Sequence, residues 1–353
     1  MKNIKNIFSC KNIDKFLNTI QYQLNVDAHV SMNYFYVCEY EGVQFLTKLV
    51  FHKKSTVEIY GPPTTKMSQQ EAEIKILEVL KEFHDKTPCI LEMIYYITCP
   101  ADGKILNDKL CSSIDVRSIP SNTANNFYYN VCYFNDLVKN GLADNKITFM
   151  ILEQCDMSFS KFLNSSADIS VNIEIVRSVL FQIIYTLYII HKKYPLFIHY
   201  DLHSSNILLK VDHEYTFSEY EYIEYVIGGV SHYVPYFGFI PVMIDFGHSS
   251  LPEHNIINCI TDDKYVQMAR PKSDILLFMY SIYQHSKYYH ELLKEIDVDL
   301  FKNLSIGKLS CPLSNPLSSK EPAAIELERR LLKSAAFNVY KNKQKNVKVS
   351  FTD

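Results

Sequence analysis

The run FIHYDLHSSNILLK carries an aspartate, Asp201, and five residues later an asparagine, Asn206, between an apolar helical stretch and a short apolar strand. A second acid, Asp245, follows in VMIDFGHSS, where an apolar strand delivers it into a Phe-Gly turn. A carboxylate on such a loop can orient an attacking hydroxyl and accept its proton. An amide oxygen and a second carboxylate are hard ligands of the kind magnesium takes. Together these residue types suit a metal-assisted reaction at a hydroxyl, one that needs positioning and charge more than covalent chemistry.

Elements upstream must hold this set in place. Residues 20 to 54 read as three strands, and in VQFLTKLVF the two-residue period puts Gln44, Leu46, Lys48 and Val50 on one face, after a turn at Glu41-Gly42. Beyond Gly61-Pro62-Pro63, Ser68 caps a helix, QQEAEIKILEVLKEF, with Ile74, Leu77 and Leu80 as its apolar stripe. Glu73 shares that face, whereas Glu71 lies with Lys75, Glu78 and Glu82. An inward carboxylate needs a partner because burying it alone is costly, and Lys48 is the natural one. CILEMIYYIT is a further strand; residues 100 to about 146 are an insertion with one short helix near Phe134 to Val138; and TFMILE resumes the sheet.

A polar connector, QCDMSFSKFLNSSAD, leads to a helix from about Val171 to His191 that is apolar nearly all round, as a buried helix should be. YEYIEYVI and VSHYVPYF flank Gly228-Gly229, the pattern of a two-residue hairpin. Lys302 to Pro322 is expected to loop over the surface, a last helix to run over about 322–337, and the lysine-bearing tail to be a solvated end. Strands followed by helices predict an α+β chain, a small sheet-rich lobe over 1–152 joined near Glu153 to Asp156 to a helical lobe over 153–353.

Bulk properties bound the rest. The 353 residues and 47% hydrophobic content are enough for a sizeable core, and a net charge of −3 gives no global reason to expect nucleic acid or an anionic membrane as partner. Nine scattered cysteines show no CxxC or zinc spacing and are expected to be reduced, mostly buried thiols. The first residues lack the apolar core of a signal peptide, and the apolar run Val179 to Ile190 is short for a bilayer, so an intracellular, soluble protein is expected.

The two motifs, in this order, resemble the catalytic loop and DFG element of the protein kinase superfamily, and within it the haspin-like and giant-DNA-virus kinases. The resemblance covers roughly residues 20 to 285 and implies a two-lobed kinase-like fold with an antiparallel-sheet N-lobe, a mainly helical C-lobe and an extra β-hairpin, about 211–240, before DFG. It implies ATP with magnesium, or manganese in its stead, and protein hydroxyls as acceptors. Asp201 is then the catalytic carboxylate and Asn206 and Asp245 the metal ligands. Lys48 and Glu73 would hold phosphates as an ion pair, with Glu153 and Cys155 in the adenine hinge, Leu208 beneath the base, His203 near the transferred phosphate and Asp274 bracing the loop.

Several departures matter. Tyr200 stands where an arginine usually pairs with a phosphorylated activation loop, and no APE motif lies between Gly247 and Asp274, so activation by loop phosphorylation is not expected. Residues 20 to 41 contain no glycine, leaving Asp27, Ser31 and Asn33 to form a substitute phosphate turn, and Leu46 is bulkier than the usual alanine above adenine. Alternatives are a small-molecule kinase of the aminoglycoside or choline type, whose loop also reads Asp-Leu-His, and a pseudokinase that binds partners. A viral source is implied by the resemblance and by a usage rich in Ile, Asn and Lys; the oligomeric state is not read.

Overall fold

The computed structural model describes residues 9–10, 16, 18–24, 34–53, 69–100, 134–165, 169–215, 221–256, 272–305, 324–342 and 346–353. The chain divides into two compact units, Met1–Thr65 with Glu92–Gln154 and Lys66–Leu91 with Cys155–Asp353. The proposed phosphate turn at Asp27, Ser31 and Asn33, the cap at Ser68, most of the 100–146 insertion and residues 306–323 lie outside the described residues.

The first unit is a five-stranded antiparallel sheet in the order β1-β2-β3-β5-β4, with β1 Ile20–Leu24, β2 Tyr34–Tyr40, β3 Val43–Lys53, β4 Met93–Pro100 and β5 Ala143–Leu152. The three strands expected before residue 54 are therefore present, whereas the strand read from Cys89 starts only at Met93. On β3 the period of two holds. Phe45, Leu49 and Phe51 enter a core with Tyr36, Phe149 and Ile151, and Lys48 and Val50 occupy the opposite face, also buried. The expected short helix spans residues 134–139, and its Phe134 stacks on Phe51 at 4.4 Å between ring centres.

The cysteine expectation is corrected here: Cys10 and Cys99 form a disulfide across 89 residues. Scattered spacing concealed it because the two approach only when the segment before β1 lies against β4. Cys38 and Cys89 are buried thiols, as expected.

In the second unit α1, Gln69–Leu80, buries Ala72, Ile74, Ile76, Leu77 and Leu80. The polar connector carries β6, Met157–Ser158, and a helix α3, Phe159–Ser165, which follows the 134–139 helix, α2, in chain order. The long helix α4, Ile169–Lys193, is the core of the unit, with Val179 to Ile190 buried throughout. Its stretch Ile173–Lys193 is long and apolar enough to cross a membrane, more than the sequence reading allowed, but 83% of that window is packed inside protein.

Two small sheets complete the unit. In one, β10 (Phe239–Met243), β7 (Ile207–Val211) and β6 lie side by side, all antiparallel. In the other, the hairpin of β8 (Glu221–Ile227) and β9 (Val230–Tyr236) turns at Gly228 and Gly229, whose φ of +54° and +78° give the left-handed pair that a tight hairpin requires. The tail adds β11, Val347–Thr352, parallel to β8. It is therefore no solvated end: Phe351 is buried against Tyr225, and Lys348 pairs with Asp212 at 2.8 Å and Glu221 at 3.4 Å.

Helices α5 (Lys272–His285), α6 (His290–Ile296), α7 (Val298–Ser305) and α8 (Ala324–Leu332) follow. The last was expected to continue to 337. Instead Ser334 takes an extended conformation, and a 3-10 segment over Ala335–Lys341 turns Phe337 edge-on to Phe181 at 5.1 Å. Burial of that ring outweighs helix continuation. At the other face of α8, Glu328 meets His191 of α4 at 2.7 Å with both side chains fully enclosed.

Candidate active site

The register of one ladder builds the centre of the site. Met243 on β10 pairs with Ile207 on β7, and the Ile244 N–H donates to the Asn206 carbonyl at 3.0 Å, so Asn206 and Asp245 leave adjacent strand ends together. On its other edge Met243 is held by the 89–91 segment, accepting from Leu91 N and donating to Cys89 O.

Asn206 then reaches back along its own loop. Its Nδ2 donates to the Asp201 carbonyl at 2.8 Å and to the Asp201 carboxylate at 3.0 Å. The amide nitrogen is thereby engaged by Asp201, which orients the amide oxygen away from that carboxylate. His203 caps the 3-10 turn at Ser204–Asn206, its Nδ1 accepting from Ser205 N at 3.2 Å, and this presents its Nε2 to Asp201 Oδ1 at 3.5 Å. Burial works to raise the Asp201 carboxyl, but the hydrogen bond and charge of His203, with smaller help from His248 and His199, hold it below its ordinary range. His203 is raised in turn, chiefly by Asp201. The Asp201 carboxylate is thus kept ionised and able to accept a hydrogen bond from a hydroxyl.

Behind the loop, Asp274 of α5 accepts from His199 N at 2.7 Å and Tyr200 N at 2.9 Å. It is fully enclosed, and burial pushes its carboxyl up to about 7 against the pull of those two amides and of His191. His199 is also enclosed, bonds Ile244 O through Nε2 at 3.0 Å and packs on Phe246; burial lowers its pKa, which suits a packing residue. Ser281, which the sequence reading missed, accepts the Ser204 N–H at 2.9 Å.

Asp245 occupies the left-handed region at φ +61°, and the turn Phe246–His248 follows it. A β-carbon placed at Gly247 would stand 3.3 Å from Asp245 Oδ1 and 3.9 Å from Glu73 Oε2, so glycine leaves room for both carboxylates at this turn. Glu73, buried as its helix period predicts, therefore faces the Asp245 turn. Leu208, half-buried on β7, lies opposite Val242 and Ser158; Cys155 is a half-buried thiol just before β6.

Asp201, His203, Asn206, Leu208, Asp245, Glu73 and Cys155 all belong to the second unit. Lys48 and Glu153 belong to the first. Lys48 is 3% exposed on β3, with its ammonium 5.7 Å from the centre of the Phe35 ring. Glu153 clasps Glu92, donating N–H to its carbonyl at 3.0 Å and accepting its N–H on Oε1 at 2.8 Å.

Among the described residues no group of three or more His, Cys, Asp or Glu is placed to hold a metal on protein ligands alone. The Asp245 carboxylate and the Asn206 amide oxygen are two hard donors, a set that fits magnesium carried in with nucleotide phosphates.

A relative in Acanthamoeba polyphaga mimivirus, named as a candidate serine/threonine-protein kinase, is 28% identical over 262 residues, which is 69% of this chain and 62% of that protein. In sequence, the chain resembles the protein kinases of giant DNA viruses. It spans 62% of the length of this curated relative. No family model matches the chain. A solved structure of WaaP in complex with acyl carrier protein aligns over 88% of this chain and 96% of that one at 10% identity and a TM-score of 0.38, too remote to bear on function.

Proposed function

We propose that the chain is a magnesium- and ATP-dependent phosphotransferase acting on serine or threonine hydroxyls of proteins. One observation carries the reading: the antiparallel end of β7 and β10 brings Asp201, Asn206 and Asp245 into one connected set, tied through Asn206 Nδ2 and Ile244 N. Asp201, held ionised, orients the acceptor hydroxyl and takes its proton. Asn206 and Asp245 would hold magnesium, which supplies neutralisation of the phosphate charge when bound. Lys48 and Glu73 keep the phosphate-serving roles the resemblance implies. The protein acceptor rests on the similarity to the mimiviral relative.

Independence from loop phosphorylation belongs to the same proposal. Residues 257–271 lie outside the described residues, but the chain just past Gly247 is already fastened: Ser250 and Ile198 exchange backbone hydrogen bonds at 2.9 and 3.0 Å, and the Ser249 hydroxyl donates to His199 O. The deciding test is transfer of label from ATP with magnesium to a protein panel, to small hydroxylated amines and to the enzyme itself, with Asp201→Asn and Asp245→Asn as controls. Phosphoserine or phosphothreonine that disappears in both variants is the expected result. Label on amines alone would move the assignment to a small-molecule kinase, and nucleotide binding without any transfer would make it a pseudokinase.

A further inference from the structure

The catalytic loop is fastened to α5 at more points than Asp274. Asp274, Ser281 and His285 are separated by seven and four residues, which places them on one face of the helix. Asp274 takes the amides of His199 and Tyr200, and Ser281 takes the amide of Ser204 while donating its own hydroxyl to Phe278 O at 2.7 Å. His285 completes the row: its Nε2 lies 3.1 Å from the Ser204 hydroxyl and its Nδ1 lies 3.0 Å from the Asn164 amide oxygen on α3.

The tautomer follows from the partners. Asn164 Oδ1 accepts, so Nδ1 carries the hydrogen and Nε2 offers a lone pair to the Ser204 hydroxyl. Burial lowers the pKa of His285, in keeping with a neutral ring. Ser160 Oγ, also on α3, approaches the same Nε2 at 3.4 Å. Ser204 is 3% exposed, so its hydroxyl is no nucleophile for an outside substrate. It sits three residues after Asp201 and two before Asn206, at the start of the turn that aims the Asn206 amide.

We infer that His285 is a positioning residue for phosphotransfer: by accepting the Ser204 hydroxyl while anchored to Asn164, it fixes the register of the loop segment between the catalytic carboxylate and the metal-binding amide. This rests on the proposed function of the loop. Productive geometry tolerates only small displacements, so a slack loop costs turnover more than nucleotide binding.

The test compares His285→Leu, His285→Gln, Ser204→Ala and the double variant Ser204→Ala/His285→Leu, each checked for a wild-type melting profile. His285→Leu should lower kcat about 5- to 30-fold while KM for ATP stays within about 2-fold. His285→Gln, whose amide oxygen can accept the hydroxyl, should recover most of the loss. The double variant should be no worse than either single one, as expected of partners in one interaction. Hydrogen exchange at the Ser204 amide, read without any activity, should quicken in His285→Leu. Unchanged exchange overturns the tether, and quickened exchange with wild-type kcat overturns its positioning role. A wild type that transfers no phosphate under any condition overturns the proposed function, and with it the catalytic part of this inference, while the exchange result still decides the tether.

Discussion

Asp274→Asn probes the brace behind the loop, and its effect should depend on pH in a direction that the burial of Asp274 fixes. The carboxyl is raised from its ordinary 3.8 to about 7 in the folded protein. A folded state that binds a proton more tightly than the unfolded chain is favoured at low pH. The contribution is therefore full below about pH 4, declines as pH rises, and levels off above about pH 7. Each pH unit well inside that window is worth about 1.4 kcal/mol and the slope halves at the folded pKa, so from pH 5 to pH 7 the wild type gives up about 2 kcal/mol at this position. Asparagine does not titrate. Its carbonyl keeps one of the two amide bonds, at 2.7 and 2.9 Å in the wild type, and its NH2 group confronts the other N–H. That exchange costs about 2–4 kcal/mol. The variant should be clearly less stable at pH 5 and approach wild type by pH 8, measured by urea unfolding and by exchange of the His199 and Tyr200 amides corrected for intrinsic rates. A deficit that stays flat, or that widens toward pH 8, would refute the reasoning, because it would mean that the buried carboxyl is ionised across the whole range.

Other consequences can be checked with less apparatus. Glu328→Leu strands the His191 Nδ1 in the α4–α8 contact and should cost about 3–5 kcal/mol in denaturant melts. His191 is raised by Glu328 against its burial, and Glu328 is raised by burial, so both contributions are lost as pH rises, and the wild-type pair should weaken on the alkaline side. Reducing the Cys10–Cys99 bridge, which spans 89 residues, should destabilise the first unit by up to about 4–5 kcal/mol, read as a reductant-dependent shift in urea midpoint. Gly247→Ala places a methyl 3.3 Å from Asp245 Oδ1 and should weaken magnesium-dependent transfer without disturbing the melt, whereas magnesium response equal to wild type would show that the turn has room to spare.

Much of this was legible because it is local. The Asp201–Asn206 spacing, the Asp245 turn, the Gly228-Gly229 hairpin and the inward placement of Glu73 each follow from residue type and period within a dozen residues. Ser281 and His285 carried a weaker signal, polar residues at helical spacing from Asp274, which becomes informative only once the loop is known to lie along that face. The disulfide had no local signature at all, whereas β11 had one that went unread, the strict apolar-polar alternation of VKVSFT, and only its pairing with β8 was hidden. Cys10 meets Cys99, and Val347–Thr352 meets β8, through contacts spanning from 89 to more than a hundred residues, which no windowed pattern can register. The early end of α8 was hidden for a related reason: helix propensity favours continuation through Ser334, and the competing burial of Phe337 against Phe181 is tertiary.

Backbone strain shows why the brace on α5 has to be strong. Tyr200 at φ +67° and Asp245 at φ +61° are both left-handed, one just before Asp201 and the other the acid proposed to hold metal. Left-handed geometry costs a non-glycine residue about 1–2 kcal/mol, and a bulky tyrosine adopts it only where its surroundings leave no alternative. At Tyr200 those surroundings are the Asp274 bond to its own N–H, the neighbouring bond to His199 N, and the Ile198–Ser250 exchange on the other side. The bend turns the chain so that Asp201 lies beside Asn206 and His203 instead of continuing along the line of Ile198. Relaxing it by removing Asp274 would therefore misplace Asp201 even in a protein that remained folded, so Asp274→Asn should lose turnover at pH 8, where its stability nears that of wild type.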